Sequence, residues 1–583
     1  MIKEAVFHQA DSEMCYLTDD GKVVITLKAK KDDIDQIVML YDDRYDKVPK
    51  QEFIRIPLSY IMSDELYDYF GTEFVCPYTR LCYYFLMIDK EGNHTYFYQD
   101  GFRDTYSWGR QQLFQLPYLH KQDTPQVPKW LKEGIMYQLF PDSFANGKER
   151  LEEKPDSHIL ENGVRVESRF GGTIKGIIDN LDYLRGLGIN LLYLNPVFTA
   201  NSYHKYDEVD YYTVDPCLGT NEELKELVRL CHEYGIRVML DLVFNQSSSS
   251  FFAFQDVLQN GENSPYKDWY HLHGFPVKTG KAPNYETFAF YDVMPKFNTE
   301  HTAVEEYLLD IARFWIRECD IDGYRLDVAN ELPHEFWRRF RREMDKMKVE
   351  FALIGEVWHD SASWIGRDQF HSVMNYPLLY AMWEFFGYDG MNAYQFAQTV
   401  NRLTMKYRID NIQVMMNFID SHDVARFLTI SGVKPERQKI ATAFLLTYLG
   451  LPMVYYGDEK AMEGNDINDS RRMMIWKDEE RSLSMYHHYQ KLIKIRKENP
   501  VFVHGKYIPF LSDITTNLFG FVRGEGNEQV VCLFYNNSRA KELSLALEGE
   551  RYKDLMTEEL LHRSGDSFLL PMEPFGFRIL KLA

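Results

Sequence analysis

Eight short apolar runs recur between Ile135 and Asp458: IMYQLF, NLLYLN, VMLDLVFN, GYRLD, ALIGE, SVMNY, VMMNFID and PMVYYGD. Most are separated by an amphipathic stretch. Thr220–Gly235 (TNEELKELVRLCHEYG) is one such stretch, with a Thr/Asn start, apolar residues at i, i+3, i+4 spacing and a glycine stop. Strands alternating with helices in this way predict an α/β chain whose eight βα units close into a (β/α)8 TIM barrel. The barrel region is read as 123–500. The segment after strand 3, about 246–300, is too long for an ordinary βα loop and is expected to form a small inserted subdomain.

The flanks have another rhythm. Residues 1–122 carry short alternating runs (KVVITLKAK, QIVMLYDD, CYYFLMID, HTYFYQD), which predict a β-sandwich module. A polar, proline-bearing linker, KQDTPQVPKW, follows. Residues 501–583 return to short strands (NLFGFVRG, QVVCLFYNN, FGFRILKL), a C-terminal β-sandwich.

In such a barrel the strand ends carry the chemistry. The stretch GYRLDVANE places Arg325 and Asp327 two residues apart, on one face of strand 4. Asp241 and Asn245 end strand 3, Glu356 ends strand 5, and His422 and Asp423 follow strand 7. A single strand-end Asp is commonly a helix N-cap, and a single Arg–Asp pair commonly structural. Four acids, an arginine and a histidine on one rim are a different matter, because unshared buried carboxylates are costly. Two carboxylates flanking a bond, one ionised and one protonated, are the equipment of glycoside hydrolysis. Arg325 is expected to keep Asp327 ionised as a nucleophile. Glu356, beside Trp358 in GEVWH, is expected to hold a proton for the leaving oxygen.

Composition narrows the alternatives. Lys+Arg 66 against Asp+Glu 87 gives a net charge of −21, which argues against nucleic acid and anionic membranes as partners. No 18-residue apolar run reads as a membrane span, and MIKEAVFHQADSEMC contains no apolar core of a signal peptide. Seven scattered cysteines fit a reduced, cytoplasmic chain better than a disulfide framework. Forty tyrosines suit clefts for flat, polar-rimmed ligands such as sugars, and equally a large aromatic core.

At these residues the chain resembles the α-amylase family of retaining glycosidases. The matching motifs are DLVFN (Asp241–Asn245), GYRLDVANE, GEVWH (Gly355–His359) and NFIDSHD (Asn417–Asp423). VANE, MPKFN, YQLFPDSFANG and NSYHKYD resemble the neopullulanase, cyclomaltodextrinase and maltogenic amylase group, whose members carry an N-terminal β module. The resemblance implies that Asp327 is the nucleophile, Glu356 the general acid/base and Asp423 the transition-state stabiliser. It implies that Arg325, His422, Asp241, His204 and Tyr206 shape the first sugar subsite, Tyr206 as a stacking platform. Glu331 and Trp358 fall on the acceptor side, and Arg472, or Arg471 beside it, matches a substrate-side arginine. It further implies a homodimer through the N-terminal module.

Three positions depart from the pattern. Gln246 replaces a histidine that bonds the sugar's 6-hydroxyl, and glutamine cannot ionise. Lys148 and Thr173 stand where group members that bind calcium carry acids, so no metal or other cofactor is expected. In NDINDSRR, Ile467 stands at an expected aspartate. The expected activity is hydrolysis of α-1,4 and some α-1,6 glucosidic bonds in cyclodextrins, maltooligosaccharides, pullulan or starch, with some transglycosylation. The same residues would serve an oligo-α-glucosidase or a glucanotransferase. A non-catalytic sugar-binding relative is the alternative of another class, and the joint presence of Asp327, Glu356 and Asp423 argues against it.

Overall fold

The computed structural model describes residues 1–45, 53–106, 112–147, 155–366 and 368–583. It divides into two compact units, one of Pro128–Tyr388 with Val414–Val503, the other of Met1–Val127, Asp389–Gln413 and His504–Ala583.

The first unit holds eight parallel strands: β1 (Met136–Leu139), β2 (Leu191–Leu194), β3 (Arg237–Leu242), β4 (Gly323–Leu326), β5 (Ala352–Gly355), β6 (Ser372–Val373), β7 (Met416–Asn417) and β8 (Leu451–Tyr455). Their order is β6-β5-β4-β3-β2-β1-β8-β7. A parallel bridge between Met374 and Met416 joins the two ends of that series into a ring. Closure leaves no strand edge unpaired, and apolar side chains fill the interior. Helices separate the strands as the pattern predicts. Asn221–Glu233 starts with a capping box in which Thr220 and Glu223 satisfy each other's backbone N–H groups.

Two excursions rise from the C-terminal ends of the strands. Between β3 and the helix Thr302–Cys319, the insertion carries the helix Phe252–Asn260 and isolated bridges, including Gln246–Lys296 and Tyr270–Phe297. Phe251, Phe254, Tyr270 and Phe297 give it an aromatic centre of its own. After β2, an antiparallel hairpin pairs Phe198–Ala200 with Glu208–Val214. Three strand residues against seven leave too little periodicity for this hairpin to be legible in the sequence.

In the second unit, nine antiparallel strands form the N-terminal sheet. Its long strand Ile54–Ser63 pairs with Ile34–Asp42 through one half and Tyr67–Phe74 through the other. This folds the sheet over a core that includes Ile25, Leu27, Met39 and Phe85. The C-terminal six-stranded and two-stranded sheets enclose Leu533, Leu543, Leu570 and Leu580.

Candidate active site

Arg325 is fully buried at the end of β4, in register with Asp241 of β3. Its Nη1 donates to Asp241 Oδ1 at 2.9 Å and to Asp327 Oδ1 at 2.8 Å. Its Nη2 lies 2.9 Å from Glu356 Oε2 and 3.9 Å from Asp423 Oδ2. One guanidinium therefore faces four carboxyl groups. A buried cation with no such neighbours would be prohibitively costly, and four carboxylates with one cation would repel one another.

Burial works against the expectation that Arg325 keeps Asp327 ionised, and the cation is not given to Asp327 alone. It is shared with Glu356. Burial pushes the Asp327 carboxyl well above its usual range, the Glu356 charge adds to this, and Arg325 opposes both. Asp423 rises to about 7 for the same reasons, burial first and then Glu356, against Arg471 and Arg325. Asp241 is also raised by burial, with Arg325 pulling the other way. Asp241, Asp327 and Asp423 lie close enough to one another's charges to titrate together.

Glu356 is held by its neighbours. The Trp358 indole donates to Oε1 at 2.8 Å, and the Val328 backbone N–H donates to Oε2 at 2.9 Å. Val328 has φ 44°, a left-handed conformation that is strained for a β-branched residue. The strain turns the chain directly after Asp327 and aims that N–H at Glu356. Trp358 stacks on Tyr376, centroids 3.9 Å apart, while staying 40% exposed.

On the other side, Gln138 Nε2 donates to His422 Nδ1 at 2.6 Å. The imidazole proton then belongs on Nε2, which faces Tyr206 Oη at 2.5 Å and Asp423 Oδ2 at 3.1 Å. Burial lowers the His422 pKa well below the ordinary histidine value, helped by Arg471 and Arg325, so the ring is a neutral donor. Tyr206 also donates to Asp241 Oδ2 at 2.9 Å, and its ring lies 7° from parallel with His422. His204 accepts from the Tyr206 N–H at 3.1 Å, and burial takes its pKa down to about 3. Lys205 between them is anchored on Asp215 at 2.8 Å, both side chains buried.

Other expected residues fall differently. Gln246 is buried, donating to the Tyr206 carbonyl at 3.1 Å and accepting from Asn245 Nδ2 at 3.0 Å. It ties the hairpin to the insertion and does not face the rim openly. Glu331 is 42% exposed and pairs with Lys296 of the insertion at 2.9 Å. Arg472 is corrected: it turns away to Asp469. Arg471 is the arginine at the cluster, donating to the His422 carbonyl at 2.8 Å and to Asp423 Oδ1 at 3.2 Å. Ile467 begins a short helix capped by Asp466, while Asp469 holds Arg472.

Four further polar residues enter the site. Tyr193 donates to Asp241 at 2.6 Å, Asn195 Nδ2 donates to Tyr206 Oη at 3.0 Å, Gln138 orients His422, and Tyr376 supports Trp358. Polar Gln138 and Tyr193 inside apolar runs, and Asn195 at the end of one, were the available signal.

Around the position where calcium-binding members carry acids, the described side chains have partners within the protein. Asp142 accepts three backbone N–H groups and the Ser168 hydroxyl. The Thr173 hydroxyl caps the helix Ile174–Asp179. Lys148 lies outside the described residues. Among the described residues no group of three or more His, Cys, Asp or Glu could hold a metal, and no helix is long and apolar enough to cross a membrane.

Residues 138–476 match the family model for the alpha amylase catalytic domain, and 1–120 the alpha amylase N-terminal ig-like domain. The chain is 39% identical to a cyclomaltodextrinase of Geobacillus thermopakistaniensis, covering 99% of each. It is 38% identical to neopullulanase 2 of Thermoactinomyces vulgaris, over 100% of this chain and 99% of that one. A solved cyclomaltodextrinase structure superposes with a TM-score of 0.92 at 35% identity, covering all of both chains. With its barrel, its N-terminal sandwich and its rim of acids around Arg325, the chain belongs to the α-amylase family of glycoside hydrolases.

Proposed function

We propose that this hydrolase cleaves α-1,4-glucosidic bonds, and some α-1,6 bonds, in cyclodextrins, maltooligosaccharides, pullulan or starch, with retention and some transglycosylation. The observation that carries this is the Arg325-centred cluster, which brings Asp327, Glu356 and Asp423 around one cation. Asp327 attacks the anomeric carbon while Glu356 gives its proton to the departing glycosidic oxygen, forming a glycosyl ester on Asp327. Glu356 then takes a proton from water, whose oxygen attacks the same carbon and releases Asp327. A sugar hydroxyl in place of water gives transglycosylation. Asp423, with Arg471 behind it, stabilises the oxocarbenium-like transition state. Arg325, Asp241, His422 and Tyr206 form the wall of the first subsite. Glu331 and Trp358, both substantially exposed, line the acceptor side.

Product analysis on the four substrates side by side, with NMR of the first products, tests this. α-Anomers are expected from α-linked substrate, and β-anomers refute the retaining assignment. Dominant glucose release would favour an oligo-α-glucosidase, and dominant chain transfer a glucanotransferase.

The seven cysteines, most of them buried and none in a disulfide among the described residues, support a reducing, cytoplasmic setting. The N-terminal sandwich supports a homodimer in which it narrows the partner's barrel mouth to short or cyclic glucans. Light scattering at micromolar protein is expected to give twice the chain mass. A monomer that still prefers small substrates would refute the pairing.

A further inference from the structure

Glu208 opens the second strand of the hairpin, two residues after Tyr206. Its side chain has no exposed surface, and its carboxyl oxygens have no hydrogen-bond partner on any other residue, the only bond being with its own backbone N–H. Buried polar groups are nearly always paired, and an isolated buried carboxylate is among the costliest groups a fold can carry. The proton on a neutral acid removes most of that cost. Around the residue the backbone is tightly tied. The Ser248 N–H donates to the Glu208 carbonyl at 2.9 Å, and Gln246 Nε2 donates to the Tyr206 carbonyl at 3.1 Å. These bonds fasten the Tyr206–Glu208 segment to the chain leaving β3.

We infer that Glu208 is a positioning residue of this active site: as an uncharged acid it lets the strand behind His204 and Tyr206 pack against the segment after β3, and ionisation loosens that packing. The titratable groups whose charges reach it are Asp207 and Tyr211 on its own hairpin, Asp241 at the end of β3 and Asp327 after β4. Burial raises its carboxyl well above the usual glutamate range against the pull of its own backbone N–H, and the charges of Asp327, Asp207 and Asp241 add to the shift. A charge on Glu208 must draw in water, and the bonds beside it that any such rearrangement disturbs are those that hold the Tyr206 and Glu208 backbone. Tyr206 contacts Asp241 and His422, so a loosened strand weakens sugar binding before it alters the chemistry.

The sign follows from linkage. A carboxyl whose folded pKa is raised contributes stability in full below about pH 4.3, where the unfolded chain's glutamate is protonated too. That contribution is lost as pH rises toward the folded pKa.

Glu208→Gln and Glu208→Thr keep the position neutral at every pH. Their thermal midpoints, measured from pH 5 to 9 beside the wild type, are expected to gain on it steadily as pH rises. On maltotriose, KM of the wild type is expected to climb at alkaline pH while kcat changes less. In Glu208→Gln that climb is expected to shift by a unit or more to higher pH, with kcat at pH 6 within about threefold of wild type. Parallel midpoint curves overturn the inference, as does an unchanged KM profile. The activity arm rests on the glucan-hydrolase reading. If the wild type cleaves no glucan that reading fails, while the midpoint curves still decide whether Glu208 holds a proton. If one variant does not fold, the other supplies both readings.

Discussion

Two adjacent arginines show what a single residue decides. Arg471 is buried against Asp423, while Arg472 is 42% exposed on Asp469. Arg471→Ala removes a cation that helps hold the Asp423 carboxyl down at about 7. Asp423 must be ionised to stabilise a positive transition state. The acidic limb of kcat/KM is therefore expected to move to higher pH, with kcat/KM at pH 6 falling by about a hundredfold, the scale of losing one transition-state contact. Arg472→Ala is expected to stay within a few-fold at every pH. A pH–rate series on both variants checks the pair, and equal effects would return the role to Arg472. Asp327→Asn removes the nucleophile outright. Its turnover is expected to fall by about three to six orders of magnitude, as in other sites whose nucleophile is deleted. Steady-state cleavage of maltotriose near the wild-type rate would sink the assignment.

Among the elements, the turn after β4 is where local preference yields. GYRLD reads as a strand, and β4 ends at Leu326 with Asp327 bonded through its N–H to Leu242. Val328 then takes a left-handed conformation that its branched side chain disfavours. Such strain costs about 1–3 kcal/mol and persists only where its surroundings enforce it. Val328→Gly relieves the strain and frees the N–H now aimed at Glu356. Calorimetry is expected to show a higher thermal midpoint, and kinetics a lower kcat. A lower midpoint with unchanged kcat would mean that the Val328 side chain contributes packing and the turn nothing to Glu356. The hairpin after β2 makes the complementary point. Its strands pair with irregular register, so no alternation announced it, yet it carries His204, Tyr206 and Glu208.

For the whole molecule, the charge balance of one loop cluster decides whether an ion is part of the fold. Asp142 already spends its oxygens on backbone N–H groups and on Ser168, and Thr173 caps a helix. A calcium ion wants six to eight oxygens, several of them charged. Treatment with a chelator is therefore expected to leave both the thermal midpoint and activity unchanged. A drop of several degrees, reversed by added calcium, would show that other oxygens build a site.

The eight strands, their order and the flanking β modules were legible because hydrophobic period is a local property, written into each segment separately. The acids at the strand ends were legible for the same reason: Asp241, Asp327, Glu356 and Asp423 interrupt or close apolar runs. Only tertiary structure decided who faces whom. Gln138 and His422 meet across 284 residues and Arg471 and Asp423 across 48, separations over which no sequence pattern carries a direction. It also decided that Arg325 serves Asp327 and Glu356 together, since a guanidinium has two terminal nitrogens and only the pairing of β3, β4 and β5 places their ends around it. Burial decided the rest. A carboxyl's proton depends on the water and charges around it, and those exist only once the barrel and its hairpin have closed.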